Sequence, residues 1–108
     1  MARIDDYIID VLMRDLVGHD HSPVSFLIYL WLFHEENRRG EAVEISYQAL
    51  AENIGISKSS AQIAVRLLIE RQLLTSRKET VTSTPRYRVN RPWRDAARMQ
   101  ESARDTSK

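Results

Sequence analysis

Lys58, Ser59, Gln62, Ile63 and Arg66 recur at spacings that gather them on one side of a helix. Arg66 offers a planar guanidinium with five donors, and Gln62 a carboxamide that both donates and accepts. Together they present two groups able to hydrogen-bond in pairs to a flat partner. Further along stand four cations, Arg77, Lys78, Arg86 and Arg88, in a polar segment broken by Pro85. Residues 75–94 hold six Lys/Arg against one Asp/Glu, a balance of +5, whereas residues 1–40 balance at −3 and 41–74 at −1. The formal charge of the whole chain, +1, hides this asymmetry. A basic segment on a near-neutral chain suits a polyanionic partner, and its plainer alternative is a solvated basic hairpin.

Other chemistry is poorly served. His19 and His21 flank Asp20 in a short loop, and His34 precedes Glu35 and Glu36. Imidazole and carboxylate can hold a divalent ion, but Arg38 stands where a helical zinc motif needs its second histidine. The expected roles are loop hydrogen bonding for His19 and His21 and a helix-end charge for His34. No nucleophile–histidine–carboxylate pattern or phosphate-cradling glycine loop is present, and the three glycines read as punctuation. The expectation is therefore no catalytic residue, no metal and no cofactor.

The elements that would position these side chains follow from periodicity. Ile4 to Val17 reads as an amphipathic helix with Ile8, Leu12 and Leu16 in one row, Asp5 and Asp6 in its first turn and Gly18 at its end. Ser22-Pro23 opens a second helix, to about Arg38, whose Phe26–Phe33 run is apolar on nearly every side. Such a helix is expected to be central to the core, or to lie partly in a subunit interface. Its aromatic residues Phe26, Tyr29, Trp31 and Phe33 are read as core, with a small-molecule pocket at a dimer seam as the alternative. Ala42–Ile45 is a short strand with Val43 and Ile45 on one face. Ser46 caps a helix that buries Leu50, Ala51 and Ile54 and stops at Gly55. Ser57 caps the next, which runs to about Arg71 and buries Ala61, Ala64, Val65 and Leu68. Residues 73–78 and 86–90 are strands joined by a seven-residue loop, with Tyr87 and Val89 inward and Arg86 and Arg88 outward. Trp93 is expected to pin the chain onto the body. Residues 94–108 form a polar, weakly helical tail.

The order of these elements, and the run Leu50-Ala-Glu-Asn-Ile-Gly-Ile-Ser57, resemble the winged helix-turn-helix domains of bacterial regulators of the MarR and GntR type. Ala61, Ala64, Val65 and Leu68, followed by Glu70-Arg-Gln-Leu-Leu74, are similar to the end of their recognition helix and its exit into the wing. Two positions depart from the pattern: Gln72 replaces a usual glycine, and Ala61 a usual β-branched residue. The resemblance implies a mainly α fold with a small β-hairpin wing and a three-helix core plus an extra N-terminal helix. Its divisions are an N-terminal helix and loop at 1–21, the winged domain at 22–93 and the tail at 94–108. It further implies double-stranded DNA as partner. Within the helix 57–71, Arg66 would face guanine and Gln62 adenine, Ser59 or Ile63 a phosphate or a thymine methyl, and Lys58 the backbone. Arg77, Lys78, Arg86 and Arg88 would be wing contacts to phosphate or the minor groove. Such domains usually act as twofold dimers, and Ile8, Leu12 and Leu16 or the tail would supply the interface. A GntR-type effector domain does not fit within this length.

A Ser-Pro-led apolar helix before the motif is also similar to winged domains of phage- and plasmid-type replication initiation proteins. A third reading is a winged helix used as a protein-interaction module without DNA. With 108 residues, no cysteine and a longest apolar run of eight residues, the chain is expected to be one cytoplasmic domain with no membrane partner. Asp5, Asp6 and Asp10 stand where a signal peptide would be apolar.

Overall fold

The structure, a computed structural model, describes residues 4–94. It is mainly helical, with a small three-stranded antiparallel sheet. An N-terminal helical segment is followed by α1 (Pro23–Arg39), β1 (Val43–Glu44), α2 (Tyr47–Ile54), α3 (Lys58–Glu70), β2 (Leu74–Arg77) and β3 (Arg86–Val89). The tail beyond Arg94 lies outside the described residues.

Local chemistry sets the boundaries. Ser22 accepts a hydrogen bond from the Ser25 N–H (3.3 Å) with Pro23 in the first turn of α1, and Gly40 ends that helix at φ 75°. Ser46 caps α2 through the Ala49 N–H (3.1 Å), and Gly55 turns the chain out at φ 89°. Ser57 caps α3 through the Ser60 N–H (3.1 Å). α3 ends without a glycine. Gln72 takes φ 60° there, a left-handed conformation that glycine more often supplies.

The N-terminal segment departs from expectation. It is wound with i→i+5 hydrogen bonds over Ile8–Leu12 and Arg14–His19, as in the Met13 N–H to Ile8 carbonyl bond and that from Asp20 to Asp15 (2.8 Å). A turn of that width takes more than four residues, so Ile8, Leu12 and Leu16 still stack in one row. Gly18 does not terminate the segment, which continues to His19. The left-handed residue is His21, at φ 53°.

The row formed by Ile8, Leu12 and Leu16 faces inward, at 0%, 5% and 0% exposure, and joins Tyr29, Leu32, Phe33 and Leu68 in the core. The expectation that these three side chains meet a second subunit is thereby corrected, because the monomer itself buries them. α1 packs against α3 where small residues meet: Ser25 is fully buried with its hydroxyl 3.4 Å from the Ala64 carbonyl, and Ala61 and Ala64 are buried beside it. α1 is not enclosed on every side, however. Leu27 is exposed, and Leu30 and Trp31 line an open groove of about 440 Å³ with Ile4 and Ile54.

The sheet order is β1-β3-β2. Val43 pairs with Tyr87 and Glu44 with Arg86, while Leu74 pairs with Val89, Thr75 with Arg88, Ser76 with Tyr87 and Arg77 with Arg86. Val43, Leu74, Tyr87 and Val89 face the core. Asn90 locks the end of β3 to the turn after α3: its N–H reaches the Leu73 carbonyl (3.0 Å) and its side chain the Gln72 carbonyl (3.1 Å). Among the described residues, no helix is long and apolar enough to cross a membrane.

Candidate nucleic-acid interface

α3 divides into two sides. Ala61, Ala64, Val65 and Leu68 are buried, as the spacing predicts, and Lys58, Ser59, Gln62, Ile63 and Arg66 are all exposed. Ser59, Ile63 and Arg66, at i, i+4 and i+7, form a row down the middle of the open side, with Lys58 and Gln62 flanking it. Glu70, four residues beyond Arg66, continues the same row. Its carboxylate limits a polyanion-facing surface to the first two to three turns of α3, a limit that the sequence reading missed although the i+4 spacing from Arg66 contained it.

The hairpin supplies a second surface. Alternation along the strands puts Arg77, Arg86 and Arg88 on one face of the sheet, the face opposite Tyr87 and Val89. Arg77 and Arg86 stand directly opposite each other across β2 and β3, a like-charge pairing that costs stability unless an anion lies nearby. Glu44 approaches Arg86 from β1 at 3.9 Å, but both side chains are more than half exposed, so water weakens the pair. Lys78 follows β2 and shares a concavity of about 300 Å³ with Arg77, Arg86, Ser83 and Thr84, which the carboxylates of Glu44 and Glu79 also line. The tip is uncharged: Val81 is 92% exposed among Thr80, Thr82 and Ser83, and Thr80 and Ser83 hydrogen-bond through their hydroxyls (2.7 Å). The four cations therefore sit at the base of the hairpin rather than its end.

Ion pairing separates these cations from the structural ones. Arg91 meets the buried Glu36 (3.3 Å), lies 4.7 Å over the Phe33 ring and bonds Asn37 (3.1 Å), while Glu36 also accepts the Val89 N–H (2.6 Å). Arg94 and the Trp93 indole both donate to Asp5 (2.7 and 2.8 Å), and Trp93 stacks on Tyr7 at 4.7 Å, as its expected pinning role requires. The Arg94 hydrogen bond, against the opposing effect of burial and with help from Trp93, holds the Asp5 carboxyl below its usual range. Arg71 Nε lies 2.9 Å from Asp20 Oδ2, out of line for a hydrogen bond, and joins the end of α3 to the N-terminal segment as an ion pair. Among the described residues, Lys58, Arg66, Arg77, Lys78 and Arg88 form no ion pair, and the one other such cation is the exposed Arg14 of the N-terminal segment.

No family model, curated protein or solved structure matches this chain. The site must be read from its own residues.

The acidic and imidazole side chains are spent separately. His19 lies 3.0 Å from Asp20, Glu35 accepts from Arg38 (2.8 Å) and Arg39 (3.1 Å), and Glu36 serves Val89 and Arg91. Arg38, foremost, keeps the Glu35 carboxyl below its usual range. Among the described residues, no three His, Cys, Asp or Glu side chains converge as a metal site would require. Phe26, Tyr29 and Phe33 are buried in the core, and of the aromatic run Trp31 and one side of Phe33 line the groove beside α1.

Proposed function

We propose that this chain is a winged helix-turn-helix protein that binds double-stranded DNA in a sequence-specific manner and regulates transcription without catalysing a reaction. α3 would lie in the major groove and the β2–β3 hairpin along the phosphate backbone. The single observation that carries this reading is the partition of the cations. Arg71, Arg91 and Arg94 are tied to carboxylates of the fold, whereas Arg66 on α3 and Arg77, Lys78 and Arg88 on the hairpin are exposed with no ion-pair partner among the described residues. An unpaired, exposed cation set on two neighbouring elements suits phosphate neutralisation.

Arg66 would donate to guanine and Gln62 to adenine, each contact worth about 1–3 kcal/mol of discrimination. Lys58 and Ser59, in the first turn of α3, would touch backbone, where the helix dipole also favours phosphate. Pairing as a twofold dimer on two half-sites would use apolar side chains that the monomer leaves open, such as Ile9, Met13 and Leu27, in place of the buried row.

Fluorescence anisotropy with labelled random-sequence duplex at two salt concentrations tests the proposal. Binding that weakens steeply with salt, at two chains per selected site, is expected. Arg66→Ala should abolish preference for a selected sequence and leave most non-specific affinity. Absence of binding to any duplex at low salt would leave a protein-interaction module and end the DNA reading.

A further inference from the structure

Ile63 is the most exposed large apolar side chain on any helix of the described residues, at 68%. It stands in the middle of the open row of α3, between Ser59 and Arg66, with Gln62 beside it. Nothing in the fold calls for it there. A β-branched side chain on the open side of a helix is less favourable than alanine, and its surface stays in water. Ser59, Gln62 and Arg66 beside it are polar, and the one apolar side chain next to it, Leu67 a turn further on, is half-buried at the edge of the open side.

The major groove presents hydrogen-bond donors and acceptors at every base pair and one apolar group, the C5-methyl of thymine. An apolar side chain held at the centre of a groove-facing row can therefore gain from one base only. We propose that Ile63 is a specificity-determining residue that packs on a thymine methyl, so that the protein's site carries thymine at that position. This inference rests on the DNA reading above. Gln62, its sequence neighbour, offers the paired donor and acceptor that adenine N7 and N6 require, so the two side chains favour A·T pairs together. Ser59 and Arg66 then bound the contact on either side along the helix.

The test compares duplexes that differ by the methyl alone. The tightest duplex recovered by selection from a random-sequence pool is prepared with thymine and again with deoxyuridine throughout. The native chain should bind the uracil duplex about fourfold more weakly for each methyl contacted, the value of one buried carbon. Ile63→Ala should bind both duplexes alike, at the level of the native chain on uracil. Ile63→Val, which keeps a branched apolar surface, should retain part of the ratio. An unchanged melting temperature of each variant establishes that the fold is intact, as expected for so exposed a position.

Equal binding of the thymine and uracil duplexes by the native chain would overturn the role of Ile63 and leave DNA binding standing. Persistence of the full ratio in Ile63→Ala would overturn it too, by assigning the methyl to another residue. Failure to recover any duplex would remove the DNA reading itself, a different result from either.

Discussion

At the residue scale, much of the fold was legible because short-range chemistry decides it. Ser46 and Ser57 cap their helices through one hydroxyl each, and Gly55 takes the left-handed conformation, all within a few residues of their partners. The buried set Ala61, Ala64, Val65 and Leu68 follows from helical spacing alone. Gln72 shows where residue identity misleads, since it occupies φ 60° without being glycine. Its exposed side chain forms no hydrogen bond among the described residues, and its N–H and carbonyl bonds are those any residue would form. Gln72→Gly should therefore stabilise the protein by about 0.5–1 kcal/mol, because relief of the left-handed penalty exceeds the added freedom of the unfolded chain. Urea unfolding measures it, and a lower midpoint would mean that the side chain is held in place by packing.

At the element scale, what spacing could not supply was the partner of each stripe. The row Ile8, Leu12 and Leu16 announces an apolar face equally well for a core or for a second subunit. Its destination is decided by tertiary closure. Asp20 meets Arg71 at one end of the segment, and Asp5 meets Trp93 and Arg94 at the other, across 88 and 89 positions of sequence in the latter case. No local pattern encodes contacts of that range. The i→i+5 winding and the burial of Glu36 against the Val89 N–H escape periodicity for the same reason. The Asp5 contact carries a pH dependence. Its carboxyl is held below the unfolded value by Arg94, so its contribution is present above about pH 4, the unfolded Asp range, and is lost as pH falls through the lower folded value. Asp5→Asn should lower stability by about 1–2 kcal/mol at neutral pH and flatten the acid limb of the stability profile. Tryptophan fluorescence should shift as the charged carboxylate beside the Trp93 indole gives way to a neutral amide. Parallel acid limbs for the two proteins would show that the contact contributes nothing.

At the scale of the whole molecule, the charge asymmetry visible in sequence was real but overstated. Of the six cations in residues 75–94, Arg91 and Arg94 are engaged by Glu36 and Asp5, which leaves Arg77, Lys78, Arg86 and Arg88 to face outward. Net charge by segment cannot distinguish the two groups, because a carboxylate far away in sequence neutralises a cation as well as a near one. The distinction has a measurable consequence under the DNA reading. Each cation that neutralises a phosphate adds about 0.9 to the slope of log affinity against log salt. Arg77→Ala and Arg88→Ala should each make that slope shallower by nearly one and weaken all duplexes alike, while leaving the melting temperature close to the native value. Arg94→Ala should do the reverse, lowering the melting temperature through the loss of its Asp5 partner and leaving the salt slope unchanged. Arg86 stands between the two groups, since Glu44 lies 3.9 Å away. Phosphate must compete with that carboxylate, so Glu44→Gln should tighten binding and steepen the slope, an effect absent from Arg86→Ala. Equal slopes for Arg88→Ala and Arg94→Ala would mean that the outward face of the sheet does not meet the backbone.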